Sequence, residues 1–99
     1  HVSYQYNTVN SLMYAYKSSI SSSWSKTTVD NTGGKFTSIA LDSNDKPHIA
    51  YRDSGGQLAL MDKTGSSWAT TTTFNFASVN EDIDATSIAI DSNDKIHIA

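Results

Sequence analysis

The stretch "FTSIALDSNDKPHIAYRD" (Phe36–Asp53) returns near the end of the chain as "ATSIAIDSNDKIHIA" (Ala85–Ala99). Ser38 matches Ser87 and His48 matches His97, both at an offset of 49. The pentapeptide "DSNDK" is identical in the two copies, at Asp42–Lys46 and Asp91–Lys95. It reads either as a calcium loop or as a turn that recurs because the fold recurs. A calcium loop of the EF-hand kind has the form D-x-[DN]-x-[DN]-G with a later Glu. Here Lys46 stands at the third ligand position, and no Gly follows. A cation at that position opposes the ion. Asp and Asn, by contrast, bond their own backbone and tolerate the left-handed region. The tight-turn reading is the stronger one.

The repetition extends to the start of the chain. "HVSY" (His1–Tyr4) matches "HIAY" (His48–Tyr51), and "SSSW" ending at Trp24 matches "GSSW" ending at Trp68. The offsets drift between 44 and 49, which marks length changes in loops. One unit spans 1–47, a second spans 48–96, and 97–99 begins a third. Each full unit reads as four short strands. "FTSIALD" (Phe36–Asp42, strand A) sets Ser38 and Ala40 on one face and Ile39 and Leu41 on the other, the period of two that marks a strand. "PHIAYRD" (Pro47–Asp53) is strand B, "LALMDK" (Leu58–Lys63) strand C and "WATTTTF" (Trp68–Phe74) strand D. "DSGGQ" and "TGSS" are the turns between them. No stretch has a helical period.

The expected fold is therefore all-β. A repeated four-stranded antiparallel unit of roughly 40–50 residues has the size of a β-propeller blade. Both faces of the unit carry uncharged residues, as they do when sheets stack face to face. A β-sandwich would also accept eight strands, but the near-verbatim repeat favours the propeller.

The segment "SIALDSNDKPHIAYRD…LALMDKTGSSW" resembles the blades of multi-blade β-propellers of secreted or surface-exposed microbial proteins. The resemblance covers nearly the whole chain. It implies the fold and an extracellular or cell-surface location; it does not name a ligand. "DKTGSSW" (Asp62–Trp68) also resembles the Asp-box of sialidase-like propellers, S-x-D-x-G-x-T-W. It departs from that form by one extra residue between Asp and Gly, and "KSSISSSW" in the first unit has neither.

The 99 residues carry a net charge of −3 and no cluster of Lys and Arg, which argues against nucleic acid as a partner. There are no cysteines, so disulfides and thiolate metal sites are excluded. No apolar run approaches the ~18–20 residues that span a bilayer, so no membrane insertion is expected. No signal peptide is legible, and the first residue is His, not Met. A processed product or a piece of something longer is the expected origin.

Two blades are fewer than the ~4–8 that close a propeller. Further blades must come from a longer parent chain or from copies of the same chain, because a repeat that cannot bury its face alone needs neighbours. The phase of the repeat favours copies. The chain reads B-C-D, A-B-C-D, A, and a stub of B. The final "ATSIAID" is suited to complete the N-terminal B-C-D sheet of another copy. A head-to-tail contact of this kind closes into a ring, here of three or four chains, or runs on as a fibre.

The candidate sites follow from the repeat. His1, His48 and His97 occupy one place at the start of strand B; a histidine bonding the neighbouring turn is preferred over a metal ring, so no metal and no cofactor are expected. Trp24 and Trp68 open strand D, where packing is preferred over stacking on a sugar. No enzyme activity is expected. Sialidase-like chemistry needs an arginine cluster, and Arg52 is the sole arginine. No G-x-S-x-G elbow is present, and "NTGGK" (Asn31–Lys35) lacks the phosphate-loop spacing. An acidic run, "NEDID" (80–84), reads as a solvated loop. The A–B turn is invariant between units, whereas the B–C and D–A connections differ. Loops carry binding on a fixed scaffold. A glycan or protein surface is therefore expected at the B–C and D–A end, around Tyr6, Asn7, Arg52 and Asp53 with Asn31, Asn80 and Asp82, and with Trp24 and Trp68 as stacking candidates.

Overall fold

A computed structural model describes residues 1–74 and 84–99. Among these there is no helix, and nine strands form three antiparallel sheets. The first sheet is β1 (Val2–Tyr6), β2 (Ser11–Tyr16) and β3 (Ser25–Asp30). The second is β4 (Lys35–Leu41), β5 (Pro47–Arg52), β6 (Leu58–Thr64) and β7 (Ser67–Phe74). The third is β8 (Ile88–Ile90) and β9 (Ile96–Ile98). The strands fall where the period of two and the turn residues place them, in the order B-C-D, A-B-C-D, A-B.

The turns explain why these runs are antiparallel neighbours. In the A–B turn, Asp42 Oδ1 accepts the backbone N–H of Asn44 at 2.9 Å and of Lys46 at 3.0 Å. Asp45 takes a φ of 57°. The second copy repeats this, with Asp91 accepting from Asn93 and Lys95, and Asp94 at a φ of 59°. "DSGGQ" uses the same device: Asp53 Oδ1 accepts from Gly55 and Gln57 while Gly56 takes the positive φ. Short polar side chains that capture local amides make each reversal. "DSNDK" is thus a repeated turn in this structure.

The register gives each sheet two faces. In the second sheet Ile39 pairs Ile49 and Ile49 pairs Met61, so they share one face with Tyr51 and Ala59. Ser38, Ala40, His48, Ala50, Leu60 and Asp62 share the other. The core lies between the first and second sheets. It joins Leu12 and Tyr14 of β2 to Ile49, Tyr51, Ala59 and Met61, with Val29, Ile39 and Trp68 at its margin. Tyr51 is buried, and its hydroxyl donates to Asp30 Oδ2 across the two sheets at 2.8 Å.

The glycines of "NTGGK" are packing residues. A Cβ on Gly34, whose φ is +136°, would lie 2.6 Å from the Leu12 backbone, and one on Gly33 would lie 2.9 Å from the Asp53 backbone. The chain crosses from the first sheet to the second at backbone contact, which only glycine permits. β1 lies against β4, and β4 lies against β8. Thr37 Oγ1 donates to Ser3 Oγ at 2.7 Å, and Thr86 and Ser38 join hydroxyls at 2.9 Å. Small hydroxyl residues line the row where the three sheets approach.

Candidate functional site

The histidines bind the repeated turn. His48 Nε2 lies 3.1 Å from Asp42 Oδ2, and His97 Nε2 lies 3.0 Å from Asp91 Oδ2. Each turn aspartate therefore uses one oxygen for backbone amides and the other for the histidine six residues on. The hydrogen bond from the histidine, followed by that from the Lys46 or Lys95 amide, holds the Asp42 and Asp91 carboxyls below their ordinary range. His48 is 8 % exposed, and its Nδ1 meets Asp62 Oδ1. Both ring nitrogens are engaged by carboxylates, so this imidazole is a tie between β5, β6 and the turn.

His1 holds the same place in the first sheet. Its Nδ1 lies 2.8 Å from Tyr14 Oη, which bonds it as Asp62 bonds His48, while the residue in the Asp62 position of the repeat is Tyr16. Among the described residues no cluster of three or more His, Asp or Glu side chains is poised for a metal ion.

Trp68 and Trp24 differ in environment. Trp68 packs edge-on to Tyr14, with ring centroids 5.0 Å apart, at the margin of the core. Its Nε1 is buried without a hydrogen-bond partner. Trp24 is 47 % exposed, with Lys17 Nζ 5.3 Å from its ring centre. The packing reading fits Trp68, whereas Trp24 is half-exposed with the Lys17 ammonium over its ring.

The other residues expected at the B–C and D–A end fall into separate places. Arg52 and Asp53 line a small cleft of about 200 Å³ with Asn10, Thr32 and Lys35. Asn31 lies in a groove with Trp68, Asp30 and Thr70. Tyr6 and Asn7 are exposed on β1 and its loop. Asn80 and Asp82 lie outside the described residues. Burial raises the Asp30 carboxyl, but hydrogen bonds from Thr32, Tyr51 and Gly33 outweigh it and hold the group below its ordinary value. Burial, then the Asp30 contact, pushes the Tyr51 hydroxyl well up.

A cleft of about 680 Å³ opens at the opposite end, among the A–B and C–D turns. His1, Tyr14, Tyr16 and Lys17 line it on the first sheet, and Asn44–Pro47 with Lys63 on the second. The invariant turn hides this end from a comparison of the repeats; the Tyr16-for-Asp62 exchange, just before Lys17 and Lys63, is the legible signal that this gap differs. No family model, no curated protein and no solved structure matches the chain.

A second surface is legible only by comparing faces. The outward face of the first sheet carries Val2, Tyr4, Tyr6 and Met13, with Trp24 beside them. Val2 is 42 % exposed and Tyr6 52 %. In the repeat, Val2, Tyr4, Met13 and Trp24 correspond to Ile49, Tyr51, Ala59 and Trp68. Those four form or flank the core against the first sheet.

Proposed function

We propose that the chain is a non-catalytic, self-assembling β-propeller module that serves recognition or scaffolding at a cell surface or outside the cell. The observation that carries this reading is the outward face of the first sheet. At Val2, Tyr4 and Trp24 it repeats the Ile49, Tyr51 and Trp68 positions of the face that the second sheet buries. An exposed apolar sheet face of this kind is an interaction surface. The repeat supplies the fitting partner: each such face packs on the opposite face of the preceding sheet. The second sheet presents that opposite face, with Ala40, His48, Ala50 and Leu60, beside β8. A copy therefore carries both halves of a head-to-tail contact, and such contacts close into rings when the rotation permits.

Three or four copies would make a propeller of six or eight blades. The ligand class is extracellular glycan or protein, met by the variable loops and by the exposed Trp24. Negative-stain electron microscopy at micromolar concentration tests the reading. Closed rings support it. Filaments would favour a structural role in a fibre or surface layer, and isolated chains would refute it. A glycan array on the assembled form then tests the ligand class.

A further inference from the structure

We infer that the cleft beside His1 is the seat of the β8 strand and the 91–95 turn of a second copy, which thereby completes the first sheet. The inference rests on the self-assembly reading and names the segment and the contacts that carry it.

Four features of the cleft match that segment. The first is backbone. Among the described residues β5 pairs with both β4 and β6, whereas its counterpart β1 is an edge strand paired only with β2. Among the described residues the first sheet has no counterpart of β4, and β8 is one: "SIAI" (Ser87–Ile90) repeats "SIAL" (Ser38–Leu41). An unpaired strand edge takes a matching strand. In the register that β4 and β5 share, Ile88 sits opposite Val2 and Ala89 opposite His1.

The second feature is the histidine. His48 gives Nδ1 to Asp62 and Nε2 to the turn aspartate. His1 gives Nδ1 to Tyr14, and its Nε2 has no partner among the described residues. Asp91 of a second copy would meet that nitrogen as Asp42 meets His48.

The third is Asp45. Its counterpart Asp94 accepts the Ser43 amide at 2.8 Å and the Ser43 hydroxyl at 2.5 Å, which locks one turn onto the next. Asp45 lines the cleft, exposed, with no side-chain partner among the described residues. Ser92, the counterpart of Ser43, would supply both donors.

The fourth is charge. Lys46 and Lys63 line the cleft, and the incoming turn carries Asp91 and Asp94.

Within one chain β8 pairs with β9, in the register Ile88 opposite Ile98 and Ala89 opposite His97. β9 and β1 carry the same pattern, His97-Ile98-Ala99 and His1-Val2-Ser3. The second copy's β1 takes the place of β9 on β8, a strand exchange between equivalent segments.

Cysteine pairing tests the register. The chain contains no cysteine. Directly opposed residues of an antiparallel pair lie about 4.5–5.5 Å apart at Cα, within disulfide range. Val2→Cys and Ile88→Cys are prepared as separate full-length variants, mixed, and oxidised mildly. The expected result is a disulfide-linked two-chain species in the mixture and in neither variant alone. Light scattering of each variant runs in parallel. Assembly without the mixed disulfide overturns the β8 seat and leaves the self-assembly reading standing. Failure of the unsubstituted chain to assemble overturns both.

Ser92→Ala and Asp45→Asn avoid the strand positions. Each is expected to weaken assembly about tenfold, as loss of a charge-assisted hydrogen bond does, with the melting temperature of the isolated chain unmoved. Unchanged assembly in both variants would contradict the inference.

Discussion

Tyr51→Phe probes the join between the first two sheets. The ring is buried in the core, and its hydroxyl donates to Asp30 Oδ2 at 2.8 Å. Phenylalanine keeps the packing and removes one hydrogen bond to a charged group, a contact with a net value of about 1.5–3 kcal/mol. Asp30 is half-buried and keeps its bonds from Thr32, so the low end applies, ~1.5 kcal/mol. For a domain of this size that lowers Tm by roughly 6–12 °C.

The pH dependence sharpens the test. The Asp30 carboxyl lies below its ordinary value, partly through the Tyr51 bond. A depressed carboxyl contributes stability that is present above the unfolded value of about 4 and is lost as pH falls through the folded value. The difference between the variant and the parent chain should therefore be full at pH 7 and shrink as pH falls through the depressed folded value of Asp30. The assay is thermal melting by circular dichroism across pH at one fixed protein concentration, because assembly shifts Tm by mass action. An unchanged Tm at pH 7, or a loss that stays undiminished down to the lowest pH at which the chain still melts cooperatively, would refute the reasoning.

Three further predictions use other contacts. Gly34→Ala forces a Cβ against the Leu12 backbone at an unfavourable φ and should cost ~3 kcal/mol or prevent folding, read by denaturant melting. Trp68→Ala should cost about 3 kcal/mol in the same assay, whereas Trp24→Ala should leave the isolated chain within ~0.5 kcal/mol and lower its tendency to assemble. Asp42 and Asp91, both depressed, add to an acid limb: stability should be level above about pH 4–5 and fall below it, and Asp42→Asn should flatten that limb while lowering Tm at neutral pH.

Much of the strand order could be read directly. The alternation in "FTSIALD" and the Asp-rich turn after it are local, and local chemistry places β4, β5 and the turn between them. The repeat then carries that assignment to β8 and β9. The role of the histidines also followed from position, because a residue at a fixed distance from an invariant turn tends to bond it. Other features depend on contacts between distant segments. The need for Gly34 comes from the Leu12 backbone, which no spacing announces. The different fates of Trp24 and Trp68 come from which sheet has a neighbour on that side. The cleft at the turn end depends on Tyr14 bonding His1 as Asp62 bonds His48, although Tyr16 is the residue in the Asp62 position.

Light scattering after size exclusion, across a range of micromolar concentrations, tests the central claim most directly. The account predicts a discrete particle of three or four times the 10.7 kDa chain. A mass of one chain at every concentration would contradict it.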